Sequence, residues 1–308
     1  MKQVVGEIQK HQPLFIGLVQ DLDTPDKEIS KQQLENILGE TPNLYFTCNS
    51  SKSINESEAL GNPPDTENAF GFSDVSRDDK VVRRSLLMIG DKSANPHCKS
   101  PYAFGLVLAL NYLKEVKEIN HQSLPDGKIK IGNLILPTFP IKSERVGGYQ
   151  KFDAGTGGLQ MLLNYRISKD RPTNSKQLDR IAKRITIENF TNLSRNPKNT
   201  KKIEESVKNR IVLIGVTDKE FAKNKLFQTP YQQEITPVWL HAQMISQLLS
   251  GVIDRRPFLR PWFGWENVAW IYAWSLVGGF IIWRFRSGIN ILLVTILKRS
   301  PISNRRYR

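Results

Sequence analysis

Apolar and polar positions follow two rhythms along most of this chain, and neither rhythm near its end. Residues 14–19 (LFIGLV) and 43–48 (NLYFTC) are short, β-rich apolar runs. An acidic loop and a helix-like stretch at 28–38 separate them, which predicts a βαβ unit. Upstream, an amphipathic helix is predicted, closed by Pro13. Residues 69–75 and 81–90 flank SRDDK, whose Ser and acids suit a tight turn, so a hairpin is predicted there. From Pro101, PYAFGLVLALNYLKEV has apolar residues at helical spacing behind a first-turn proline. Residues 128–136 (KIKIGNLIL) alternate about Gly132 and Asn133, as a glycine-turn hairpin does. Residues 159–166 (LQMLLNYR) predict a further strand. Residues 210–216 (RIVLIGV) predict a central parallel strand, and 237–249 (PVWLHAQMISQLL) a helix packing back onto it. Residues 49–68 are predicted to be a long polar loop, and 169–202 a polar, basic stretch with one helix near 177–185. The succession predicts an α/β domain with a mixed sheet and flanking helices.

The final quarter changes the pattern. Asn267 to Trp283 (NVAWIYAWSLVGGFIIW) is a run of 17 residues without a charge. As a helix it reaches about 26 Å, near the roughly 30 Å of a hydrocarbon core. Trp262, Trp265 and Trp283 stand at its ends, where amphipathic rings favour membrane interfaces, and Arg284 and Arg286 can snorkel into head groups. The expected organisation is a domain over 1–260, a transmembrane helix with its flanks at 261–286, and a tail at 287–308. The tail holds a short apolar stretch, residues 289–297, which would be a partial second span.

Charge is read differently once the span is set apart. The net charge is +14, and beyond Glu266 there are seven bases and no acid, so residues 1–266 carry +7. The remaining basic clusters, at 180–184 and 198–202, lack interleaved aromatics and any recognition-helix pattern, so no nucleic-acid partner is expected. With 39% hydrophobic and 24% charged residues, the composition is that of a globular domain. Cys48 and Cys98 have no metal spacing and read as plain thiols, able at most to form one disulfide. No signal peptide is visible in residues 1–20. The seven bases after the span outnumber Arg255, Arg256 and Arg260 before it, which places the C-terminus inside and the domain outside, although the lack of an export signal argues the opposite way.

Catalytic motifs are missing. There is no GxxxxGK[ST], no GxGxxG after a strand and no GxSxG. His11, His97, His121 and His241 are scattered without paired-ligand spacing, so neither a metal nor a cofactor is expected. GTGG at 155–158 precedes a strand and reads as a turn.

Several motifs in order resemble one family. They are IGL at 16–18, GFSDVSRDDKVVRR at 71–84, LLNYR at 162–166, RIVLIGVTD at 210–218, TPY at 229–231, HAQM at 241–244 and a C-terminal span. Together they resemble the type-two CHASE domain, CHASE2, the extracytoplasmic sensor module of bacterial adenylate cyclases and histidine kinases. GGYQ at 147–150 and WSLVGG at 274–279 make it similar to the cyanobacterial version. The resemblance implies a cell-membrane protein whose sensor answers a small-molecule or protein signal. It also implies an upstream membrane helix, a first strand and an output domain that the sequence does not show, so a truncated member is expected.

Candidate residues follow from position and chemistry. Asp74, Asp78, Arg83 and Arg84 flank the predicted hairpin and would present a charged edge to a ligand, or merely cap a turn. Asn164, Tyr165 and Arg166 end a strand, and Arg166 has the fork geometry to clamp an anion. Asp218, Thr229, Pro230 and His241 are expected to gather near the end of the strongest strand. The expected function is a non-catalytic sensory or ligand-binding domain of a signal-transduction receptor lacking its output domain. The alternative is a membrane-anchored α/β hydrolase or transferase using Asp218, His241 or Arg166. Lipid is an expected partner, as is a second copy of the chain, because Gly278 and Gly279 allow close helix approach.

Overall fold

The computed structural model describes residues 2–19, 36, 39–50, 69–77, 80–89, 98, 100–125, 127–140, 158–166, 181–194, 200–222, 226–231, 234–260, 262 and 264–284. The chain divides into two compact units. The first holds Met1–Arg145 with Tyr149–Arg260, and the second Val146–Gly148 with Pro261–Arg308.

The first unit is built on a parallel sheet of order β10-β1-β2-β3, formed by β1 (Phe15–Val19), β2 (Leu44–Cys48), β3 (Phe70–Phe72) and β10 (Ile211–Gly215). All five residues of β1 are buried, as the unbroken apolar run FIGLV requires of a strand covered on both faces. Successive side chains leave opposite faces. Phe15 and Val19 therefore join a core cluster with Trp239 and Leu240, while Ile16 and Leu18 join another with Phe46 and Phe72.

A second sheet, of order β4-β9-β8, is antiparallel. Its strands are β4 (Arg84–Ile89), β8 (Phe139–Pro140) and β9 (Gly158–Leu162). Tyr102 and Ala103 join the two sheets. The Phe72 amide donates to the Tyr102 carbonyl, and the Ala103 amide to the Leu87 carbonyl. The predicted hairpin at 69–90 is thus corrected: β3 pairs in parallel with β2 and β4 antiparallel with β9. A backbone arriving from beyond residue 100 sits where the hairpin partner was expected.

Tyr102 and Ala103 also lead into α2 (Phe104–Lys117), which starts three residues after Pro101 and ends on the left-handed Glu118. The helix lies so close to the sheet that a Cβ on Gly17 would come within 2.8 Å of Phe104 Cζ. The meander β5 (His121–Ser123), β6 (Ile129–Ile131) and β7 (Leu134–Ile135) follows, and Gly132 supplies the positive φ of the expected turn.

Helix α5 (Pro237–Ile253) packs on α2, Gly105 lying against Met244, and seals the β10 side of the core. Helix α1 (Lys2–Gln9) is amphipathic as predicted and buries Val5 and Ile8. The polar region after residue 169 departs from expectation. Residues 181–186 are not helical, and helices instead occupy α3 (Ile187–Ser194) and α4 (Thr200–Val207). Each needs only a narrow apolar stripe: Phe190 on one, Ile203 and Val207 on the other. β10 also differs: it is a parallel strand as predicted, paired with β1, but among the described residues it stands at the end of its sheet and not at its centre. β11 (Phe227–Gln228) and β12 (Glu234–Ile235) form a short ribbon.

In the second unit, α6 (Gly264–Arg284) is a 21-residue helix with no buried residue. The expectation of a transmembrane helix is not met, because no helix among the described residues is long and apolar enough to cross a membrane. Length is not what α6 lacks. Glu266 and Asn267 occupy its first turn, and four tryptophans, Tyr272, Ser275 and three glycines dilute its aliphatic content. The predicted helix at 28–38, Asp78, the motif at 147–150, the GTG of GTGG and the apolar stretch at 289–297 lie wholly or mainly outside the described residues.

Candidate functional site

Because β1, β2, β3 and β10 run in parallel, their carboxyl ends share one edge. Open α/β sheets bind ligands at such edges, where the strand order reverses. Here the reversal is at β1, which has β2 on one side and β10 on the other.

Three of these strands, β2, β3 and β10, are followed by described polar residues at this edge. β2 is followed by Ser50 and β3 by Ser73 and Asp74. Ser50 donates to Asp74 Oδ2 twice, from its amide at 2.7 Å and its hydroxyl at 2.8 Å. The Ser73 amide and hydroxyl donate to the Cys48 carbonyl at 2.7 and 3.1 Å. Two strand ends are laced together in this way, and a carboxylate is held in position among them. Cys48 is also bonded to Cys98, with the Cα atoms 5.5 Å apart. Both cysteines are buried, so the reading of plain thiols is corrected: the backbone brings together two residues 50 apart in sequence. Beyond β10, Asp218 is exposed and its Oδ1 accepts the Glu220 amide at 2.7 Å in a tight turn. The first turn of α5 closes the same strand end, where a Cβ on Gly215 would stand 2.9 Å from Val238 Cβ.

Asn164, Tyr165 and Arg166 come together, as structural ties more than as an open clamp. Gln247 Oε1 accepts the Asn164 amide at 3.0 Å, and its Nε2 donates to the Leu162 carbonyl at 2.9 Å. One turn earlier Gln243 repeats the pattern, accepting the Arg166 amide and donating to the Arg166 carbonyl. Arg256 Nη2 donates to the carbonyls of Asn164 and Tyr165 and to Asn164 Oδ1. The Tyr165 hydroxyl donates to the Val82 carbonyl at 2.9 Å, and burial pushes this phenol well above its ordinary range. Arg166 reaches Asp254 at 3.8 Å. Burial and the neighbouring Arg166 lower the Arg256 guanidinium, against a smaller raising effect of Tyr231.

Gln243, Gln247 and Arg256 were missed in the sequence. The available signal was a glutamine pair at i, i+4 on a helix whose inward positions are mostly apolar. Such a pair lies on one helix face and must find partners in the core.

The other candidates are dispersed. Arg84 is buried and donates to Gln160 Oε1 across β4 and β9, whereas Arg83 contributes its carbonyl to the Leu163 amide. His241 is buried edge-on to Phe104, with ring centroids 5.2 Å apart, and Thr229 is also buried. Asp218 is on the surface while His241 and Thr229 are core residues. No group of three or more His, Cys, Asp or Glu side chains able to hold a metal occurs among the described residues.

With this geometry in place, the family comparison is decisive. The CHASE2 domain family matches residues 1–280 of the 308. The chain belongs to the CHASE2 domain family. CHASE2 domains are extracytoplasmic sensory domains of signal-transduction proteins. The buried disulfide suits that setting, since such bonds persist in oxidising compartments. A comparison with curated proteins and with solved structures returned no match.

Proposed function

We propose that this CHASE2 domain is a non-catalytic sensory module, held at the membrane by α6 and lying outside the cytoplasm, that takes a small solute at the carboxyl edge of its parallel sheet. The carrying observation is that the Ser50–Asp74 pair and the turn at Asp218 follow strands of one parallel sheet at its carboxyl edge, on either side of the point where the strand order reverses. A solute that binds one arrangement of this edge better than another shifts the population of the domain, and needs no chemistry to do so.

Membrane attachment rests on α6 itself. Between Glu266 and Arg284 it carries no charge, and Val268, Ile271, Phe280 and Ile282 are all more than half exposed. Exposed apolar side chains of this kind favour a low-dielectric surrounding, and lipid supplies one. The indole rings of Trp265 and Trp283 stand near its two ends, where they favour the interface.

Two arms of one experiment test the proposal. The full chain is floated with phospholipid vesicles on a density gradient, and recovery with the vesicles is expected. Complete recovery in the soluble fraction would sink the membrane part. In detergent, melting of the chain is followed against a panel of organic acids, amines and sugars. A stabilising solute is expected to lose its effect in Asp74→Ala or Asp218→Ala. A panel with no stabilising solute, or one that stabilises wild type and both variants equally, would remove the carboxyl edge as the binding site.

A further inference from the structure

β10 is an apolar strand left half-covered at the end of a parallel sheet. Ile211, Val212, Leu213, Ile214 and Gly215 are all partly exposed, although strands of this composition are ordinarily shielded on both faces. Among the described residues β10 pairs only with β1. Edge strands are normally blunted by a charge, a proline or a bulge, and IVLIG has none of these.

A groove of about 1290 Å³ runs beside it. All five residues of β10 line this groove. Consecutive strand residues point to opposite faces, so a groove that touches every one of them follows the strand's edge and not one face. Its walls are mixed, with an apolar part that includes Ile8 of α1, Phe190 of α3, and Trp239 and Ile245 of α5. The volume exceeds the roughly 300–1,000 Å³ typical of small-molecule sites. A length of polypeptide fills such a space better than a metabolite does. Five residues of edge correspond to about 16 Å of strand.

The charge around the groove specifies the flanks of the occupant. Arg166, Lys183, Arg184, Lys208 and Arg210 line it against two acids, Glu205 and Asp254. We propose that the β10 edge is a strand-addition site for a separate polypeptide, which inserts an extended apolar segment flanked by acidic residues. Main-chain hydrogen bonds to β10 give the affinity, the apolar part of the wall takes alternate side chains, and the basic rim selects the acidic flanks. The groove meets the carboxyl edge at Gly215 and Val238, but neither Ser50 nor Asp74 lines it, and the peptide and solute tests read different responses, so either proposal can fail without the other.

The test uses the full chain in detergent and three fluorescein-labelled nonapeptides. One has the centre Val-Thr-Ile-Val-Ile with two acids at each end, the second has lysines at the ends, and the third has the acidic ends with proline at the central position. Fluorescence anisotropy is expected to show the first binding at least about tenfold more tightly than either control, since proline removes a ladder donor and lysine meets like charge. Amide exchange at residues 211–215 is expected to slow when the first peptide is added. The double variant Lys183→Glu, Arg184→Glu, on the exposed part of the rim, is expected to weaken that peptide about tenfold with an unchanged melting temperature. No binding of the acidic-flanked peptide, equal binding of all three, or binding that leaves exchange in β10 unaltered would overturn the proposal.

Discussion

Cys48, the last residue of β2, is covalently joined to Cys98, just ahead of the segment that bridges the two sheets, with their Cα atoms 5.5 Å apart. The bond anchors the bridging segment to the carboxyl edge of the parallel sheet. It closes a loop of 50 residues, for which chain-entropy arguments give a stabilisation of about 4 kcal/mol. Reduction, or the variant Cys48→Ser, is expected to lower the melting temperature by roughly 5–15 °C. Thermal unfolding with and without reductant checks this, and wild type and variant should converge once reductant is present. Equal melting of oxidised and reduced protein would show that the bond contributes nothing.

Gln247 holds two backbone groups at the end of β9, the Asn164 amide and the buried Leu162 carbonyl. Gln247→Leu keeps the volume and strands both groups, so a loss of roughly 2–4 kcal/mol is expected. Gln243→Leu should cost less, because its partners on Arg166 are nearer to solvent. Urea denaturation of the two variants reads the order, and the reverse order would contradict the account of this joint.

Gly71 in β3 lies directly beneath the start of α2, where an added Cβ would collide with the Phe104 backbone. Backbone cannot swing aside as a side-chain tip can. Gly71→Ala is expected to cost roughly 1–3 kcal/mol or more, whereas Gly6→Ala, with open space around it, should be neutral or slightly stabilising on α1. Chemical denaturation of this pair separates crowding from glycine's general flexibility.

The Tyr165 phenol is raised by burial and donates to the Val82 carbonyl. A raised folded-state value means that the neutral form is preferred in the native protein. Its contribution to stability is therefore complete below the unfolded value of about 10 and declines as pH rises above it. Stability measured from pH 8 to 12 should fall less steeply in Tyr165→Phe than in wild type. Parallel curves would show that this hydroxyl is not the group concerned.

Much of the fold was legible because it is written in local periods. The unbroken run FIGLV reads as a buried strand and is one. KIKIGNLIL alternates about a glycine that does adopt positive φ, and PVWLHAQMISQLL has a proline where helices begin. Local reading failed where the partner comes from far along the chain. Residues 69–90 look like a hairpin because nothing nearby announces Tyr102 and Ala103. Residues 187–207 look like loop because α3 and α4 each need only one or two buried apolar side chains. Of the candidate site, Asp74 was visible as a charged residue beside an expected hairpin and the run Asn164 to Arg166 as polar residues at a strand end, but their partners Ser50, Gln243, Gln247 and Arg256 were not.

The sequence by itself determined the class of fold, the order of its main strands and helices, the family and the apolar character of α6, all properties of spacing and composition along the chain. The tertiary structure alone decided that Cys48 and Cys98 are bonded, that the polar run after β9 serves as a joint, and that β10 stands at the end of its sheet among the described residues. These depend on which distant segments meet. A side chain's period reveals which face it presents, but its partner is set by long-range contacts that leave no periodic trace.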